Sequence, residues 1–239
     1  PSDVLAQVES LVARDDSASR HLACQMIPAC HQHDAGVAFA WLQHLSDDED
    51  WSVRDAAATI CGRLLHAEFD STLEVLHLWR QHDSAAVRRV AVIFAGRAAR
   101  PNHLERAEPL MKFIEPLLAD GDSMVRRVLG PSTLGGSLLG SYPTNAFEYL
   151  VRWSTSNQPA VLWNVAMGFS APPAASIARK AMIVLRKLSL DERRTVWRAV
   201  SSAMWRLGRR CPEIVRPELL RWLEDERRRE VAREALKHL

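Results

Sequence analysis

Seven times along this chain a small or apolar residue is followed by others at +3, +4, +7, +8 and usually +11, and the seven starts lie 34, 34, 38, 37, 34 and 32 residues apart. The clearest copies are Val53, Ala56, Ala57, Ile60, Cys61, Leu64, then Val87, Val90, Ala91, Phe94, Ala95, Ala98, then Val196, Ala199, Val200, Ala203, Met204, Leu207. Others begin at Ser19, Val125, Leu162 and Arg228. Such spacing puts one apolar stripe on a 3.6-residue helix. A helix of this kind cannot cover its stripe alone, so a return every 35 residues or so requires neighbouring copies to stack. Between the copies lie second apolar stripes at 39–45, 73–79, 110–118, 147–153 and 214–223. Each repeat therefore reads as helix, turn, helix. The expected fold is all-α, a right-handed α-solenoid of about seven helical hairpins, continuous over residues 1–239 as a single domain.

The turns carry oxygen acceptors where the next helix begins: Asp50 and Ser52 before Val53, Asp83 and Ser84 before Val87, Asp122 and Ser123 before Val125. Each can satisfy backbone N–H groups that a helix start leaves free. The runs Asp83 to Arg88 and Asp122 to Arg127 resemble the HEAT-repeat consensus, which implies architecture rather than activity. Cys30 and Cys61 fall in stripe positions, and with Cys24 and Cys211 they form no Cys-x-x-Cys pair, so free buried thiols are expected. The cluster Cys24, Cys30, His31 and His33 is the nearest approach to a metal set. Its six-residue Cys spacing does not share a helix face and no second half follows, so neither a metal nor another cofactor is expected.

Composition adds bounds. With 47% apolar and 25% charged residues the chain is too hydrophobic to be disordered. Its longest uncharged stretch, Trp153 to Ala178, is broken by polar residues and three prolines, which excludes a membrane helix there. No secretory leader is visible, and a cytoplasmic location is the default expectation. A net charge of +2 hides an asymmetry. Residues 1–122 hold 11 Lys or Arg against 19 Asp or Glu, whereas 123–239 hold 20 against 10. The second half suits a polyanion, or the two ends suit partners of opposite sign.

One step past each stripe start stand Arg20, Arg54, Arg88, Arg126, Trp163, Trp197 and Arg229, and the next position adds His21, Asp55, Arg89, Arg127, Asn164, Arg198 and Glu230. Two accounts fit this cationic and aromatic column. Arg and Trp side by side on a concave face would hold a nucleic-acid backbone, and Arg88, Arg89, Arg126, Arg127, Trp163, Asn164, Trp197 and Arg198 are the candidate DNA contacts. Alternatively the arginines pair with acids of neighbouring repeats and tie the array together. The fourth repeat breaks the pattern, with Gly130, Pro131, Gly135 and Gly136 where other copies keep core residues, so a kink or opening is expected in that helix.

Thr133, Leu134, Gly135, Pro143, Trp153, Trp163 and Ala166, followed by the helix Ala199 to Arg210 and Cys211-Pro212-Glu213, resemble the C-terminal half of the AlkD-type alkylpurine DNA glycosylases. The resemblance implies a HEAT-like solenoid that binds duplex DNA and releases cationic alkylated purines. The family's Trp-Trp-Asp run, whose Asp stabilises the developing sugar cation, is replaced by Asp122, Ser123 and Met124, and its DNA-contacting Arg by Asn164. Excision of a cationic base needs a carboxylate near the sugar, and Asp55 and Asp122 are the candidates, Asp55 being placed also to pair with Arg88 or Arg89 and Asp122 also to cap its helix. The resulting expectation is a DNA-binding relative of these repair enzymes, diverged from excision or retaining it. The alternatives are a non-catalytic protein-binding scaffold and a groove recruited for a small electrophilic substrate in biosynthesis or self-resistance.

Overall fold

The computed structural model describes residues 2–239, and among them every regular element is helical. The chain packs as two compact units, residues 1–98 and 99–239.

The first unit holds α1 (Ser2–Val12), α2 (Ser17–His31), α3 (Ala35–Ser46), α4 (Trp51–Ala67), α5 (Phe69–Trp79) and α6 (Ala85–Ala98). The repeated stripes occupy α2, α4 and α6, which pack side by side in series, while α3 and α5 cover them as a second layer. Ala57, Cys61, Ala91 and Ala95 are fully buried. Side chains this short let helix axes approach to about 8–10 Å. Larger residues, Leu42, Leu45, Leu65, Leu76 and Phe94, fill the space between layers, each worth roughly 1.5–3 kcal/mol relative to exposure. Helix starts follow the acid code: Asp16, Asp34 and Asp50 accept from the N–H groups of Ser19, Val37 and Ser52 at 2.7, 3.0 and 2.7 Å. Ser84 Oγ does the same for Ala86, and its hydroxyl donates to Asp47 at 2.6 Å.

Cys24, Cys30 and Cys61 lie in this core as free thiols, as Cys211 does in the second unit. Burial, helped by the charge of Asp48, pushes the Cys24 thiol up to about 12, which leaves it protonated and inert at neutral pH. No group of three or more potential metal ligands occurs among the described residues.

The second unit holds α7 (Ala107–Ile114), α8 (Ser123–Val128), α9 (Leu139–Ser141), α10 (Pro143–Trp153), α11 (Pro159–Gly168), α12 (Ala178–Leu188), α13 (Arg194–Gly208), α14 (Pro212–Glu224) and α15 (Arg229–Leu236). Here the stripe-bearing layer runs from the α8 segment through α11 and α13 to α15, backed by α7 with α10 and α12 with α14. Two carboxylates brace the backing layer in the same way. Glu115 accepts from Trp153 Nε1 at 2.7 Å and from Arg152 at 3.0 Å, and Glu218 accepts from Trp222 Nε1 at 2.9 Å and from Arg186 at 2.6 Å. Trp153 is thus a core brace. The buried Tyr142 hydroxyl accepts from the Arg100 N–H and donates to the His103 carbonyl, both at 3.0 Å, closing the loop that leads into α7.

The irregular fourth repeat opens without breaking. Between α8 and α9 the helix widens to the π form over Leu129–Leu138, and the Leu139 N–H closes onto the Leu134 carbonyl, five residues back. Glycines are required there by contact with α11. A Cβ on Gly135 would sit 2.2 Å from the Gly168 carbonyl oxygen, and one on Gly130 would sit 3.0 Å from Asn164 Oδ1. The widened turn brings backbone directly against backbone, which only a residue without a side chain allows.

Candidate nucleic-acid interface

The arginine column divides into two kinds of side chain. Arg54 Nη1 donates to the carbonyls of Asp48 and Glu49 at 2.5 and 2.8 Å, and Arg88 Nη1 to those of His82 and Asp83 at 2.8 and 2.7 Å. Arg20 Nη1 repeats the pattern on Arg14 and Asp15 and also grips the Asp48 carboxylate through Nε at 2.6 Å. In the second unit Arg229 Nε reaches the Leu223 carbonyl at 3.0 Å. These guanidinium groups fold back five or six residues onto the turn that precedes their own helix, satisfying carbonyls left over by the previous helix end. They are fastenings of the repeat.

Arg126 and Arg198 are turned differently. The Arg126 guanidinium lies over the Trp163 ring at 5.8 Å and that of Arg198 over Trp197 at 5.7 Å. The Nε atoms of Arg126 and of Arg54 alike are buried without a hydrogen-bond partner. Arg127 and Arg198 are exposed, and both indoles are half-buried. Among the described residues none of these three arginines lies within ion-pair distance of a carboxylate, whereas Arg152, Arg186, Arg193, Arg221, Arg228 and Arg233 of the same unit each do. An arginine stacked on an indole keeps the edge of its fork free for a phosphate.

Arg89, Asp55 and Asp122 sit elsewhere. On α6 Arg89 is partly covered; burial and the neighbouring Arg54 lower its pKa, opposed by Asp55. Asp55, half-exposed on α4, pairs with Arg97 Nη2 at 3.9 Å, and Arg97 also donates to Thr59 Oγ1 at 2.7 Å. Asp55 opens on a hollow of about 450 Å³ shared with His21, Gln25, Thr59 and Arg63. Asp122 is the N-cap of α8, accepting from the Met124 N–H at 2.7 Å. Asn164 leaves the surface group altogether. It is fully buried, its amide donates to the Leu118 and Ala160 carbonyls at 3.0 and 3.1 Å, and its Oδ1 is unpartnered beside Gly130. Phosphate cannot reach it while α11 is folded, because the second position past a stripe start here rotates inward against the widened helix. Arg97 was not legible as the partner of Asp55, since it lies late in α6 and away from the column.

The family model described as DNA alkylation repair enzyme matches residues 1–131. The chain belongs to the DNA alkylation repair enzyme family. The matched stretch carries Asp55, Arg88, Arg89, Asp122, Arg126 and Arg127, while Trp163, Asn164, Trp197 and Arg198 lie beyond it. The family signal thus resides in the opposite half from the Thr133 to Glu213 residues that suggested it. No curated protein matches the chain significantly. Among solved structures, an engineered protein is 17% identical, with 99% of this chain and 98% of that chain aligned at a TM-score of 0.32. A designed armadillo repeat protein in complex with the peptide (KR)4 is 14% identical, with 98% of each chain aligned at a TM-score of 0.32. Superpositions this loose bear on neither the partner nor the activity of this DNA alkylation repair family member.

Proposed function

We propose that this member of the DNA alkylation repair enzyme family binds duplex DNA through its second unit, with Arg126, Arg127 and Arg198 on backbone phosphates and with Trp163 and Trp197 holding two of those forks in place. The observation that carries the reading is the pair of Arg–Trp stacks on neighbouring helices of one layer, with no carboxylate within ion-pair distance in a unit where other arginines have one. Family membership supports DNA as the polyanion. The reading does not extend to base excision. Release of a cationic purine calls for a carboxylate facing the sugar; Asp122 serves as a helix cap, and Asp55, half-exposed with Arg97 Nη2 at 3.9 Å, is only loosely paired.

Fluorescence anisotropy with a labelled duplex tests binding. Three phosphate contacts give a slope of log K against log salt of about −2.7, so affinity falls roughly 40-fold between 50 and 200 mM. Absence of binding at 50 mM would refute the proposal. Incubation with a duplex carrying an N-alkylated purine tests excision; base release that disappears in Asp122→Asn or Asp55→Asn would restore that carboxylate to catalysis.

A further inference from the structure

At the C-terminal end of α13 the sequence Trp205, Arg206, Arg209, Arg210 lines a hollow of about 440 Å³. The Arg206 and Arg209 guanidinium groups lie over the Trp205 ring at 5.4 and 5.9 Å, and the His238 ring stands 5.6 Å from the same indole. Arg210 is fixed by donating through Nη1 to the Ser170 and Arg206 carbonyls, both at 3.1 Å. All three arginines are exposed, and among the described residues none of them lies within ion-pair distance of a carboxylate. We propose that this cluster is a second phosphate anchor, taking a backbone phosphodiester of the duplex that the Arg126 and Arg198 stacks engage; it rests on the DNA-binding reading.

Three cations within five residues repel one another, and the partial negative charge of a helix end offsets some of that cost. Cations that serve only the helix end reach back to its last carbonyls, as Arg210 does. Arg206 and Arg209 instead lie on the indole, which holds them beside each other with their N–H edges unspent. Two such forks and one anchored guanidinium converging on one hollow suit a tetrahedral, doubly contacted anion better than a base, since the ring face is already covered. Arg198 and Arg209 are eleven residues apart on one helix, about 17 Å at 1.5 Å per residue. A rigid rod of that length separates two phosphate contacts by roughly five base-pair steps of duplex axis at 3.4 Å each.

The test compares wild type, Arg206→Gln/Arg209→Gln and Arg126→Gln/Arg198→Gln by anisotropy on one 20-base-pair duplex from 50 to 300 mM salt, with thermal unfolding as the check on folding. Loss of that one phosphate contact reduces the salt slope by about 0.9, so the wild-type advantage over Arg206→Gln/Arg209→Gln grows about 3.5-fold between 200 and 50 mM. If that variant binds with wild-type affinity and slope while Arg126→Gln/Arg198→Gln is weakened, the anchor is refuted and the DNA reading stands. If wild type fails to bind, both fall. Should Arg206→Gln/Arg209→Gln unfold at lower temperature than wild type, Arg206→Lys/Arg209→Lys replaces it. Lysines keep the charge, so the salt slope stays, and lose the flat fork, so weaker binding at every salt concentration supports the anchor and unchanged affinity overturns it.

Discussion

At the scale of single residues, chemistry that looks alike in sequence separates according to what each side chain meets. Arg54 and Arg126 hold the same place in their repeats, yet one is spent on turn carbonyls and the other lies on an indole. Arg54→Ala is therefore expected to cost about 1.5–3 kcal/mol of stability, the net worth of charge-assisted hydrogen bonding to the turn, with duplex affinity unchanged. Arg126→Ala should weaken DNA binding and reduce the salt slope by about 1 with little loss of stability. Urea unfolding together with anisotropy on both variants checks the crossing; identical behaviour of the two would contradict the division. Glu218 yields a second expectation. Burial alone would raise its pKa, but hydrogen bonds from Arg186 and Trp222 and the charges of Arg186 and Arg221 outweigh burial and hold it below 4.5. Its folded value lies below its unfolded one, so the stability it contributes is complete above about pH 4.5 and is lost as pH falls through the folded value. Glu218→Gln should flatten that acid limb, and a variant whose acid unfolding profile follows wild type would exclude the effect. The column of arginines and tryptophans was legible in the sequence because its positions follow from helical period. Which of them were free was not, since the partners are backbone carbonyls and rings contributed by other elements.

At the scale of elements, the periodic apolar spacing located the stripe-bearing helices, and of the acids before them Asp50 and Asp122 became caps, while Ser84 rather than Asp83 caps α6. The exception is instructive. Gly130, Pro131, Gly135 and Gly136 read as breakers, and a kink or an opening was expected; the helix opens, continuing through a π segment whose glycines lie against α11. The local signal said only that an ordinary α-helix with side chains is disfavoured there. Whether that yields a kink or a widened turn depends on the neighbour across the contact. Gly135→Ala would place a methyl group 2.2 Å from the Gly168 carbonyl oxygen. Moving two backbones apart is expected to cost at least ~2–3 kcal/mol, read as a lower urea midpoint with an unchanged slope. Wild-type stability in that variant would show that the π segment yields freely. Gly136→Ala is the control, since its nearest neighbour is 3.6 Å away.

At the scale of the molecule, charge follows the two units: residues 1–98 hold 8 Lys or Arg against 14 Asp or Glu, and 99–239 hold 23 against 15. Long-range attraction to a polyanion should therefore act on the second unit. Hydrogen exchange with saturating duplex is expected to slow amides around the exposed turns of α8, α11 and α13 and to leave α2 and α4 unchanged; protection confined to the first unit would reverse the assignment. The sequence alone determined the helical repeat, the capped starts, the buried thiols and the charge asymmetry, because each depends on residue type and on a period that any helix obeys. The tertiary structure alone decided which guanidinium groups are fastenings and which remain available, that Asn164 is enclosed and that Trp205 gathers Arg206 and Arg209. Those outcomes rest on distances of a few ångströms between residues far apart in the chain, and no local pattern encodes them.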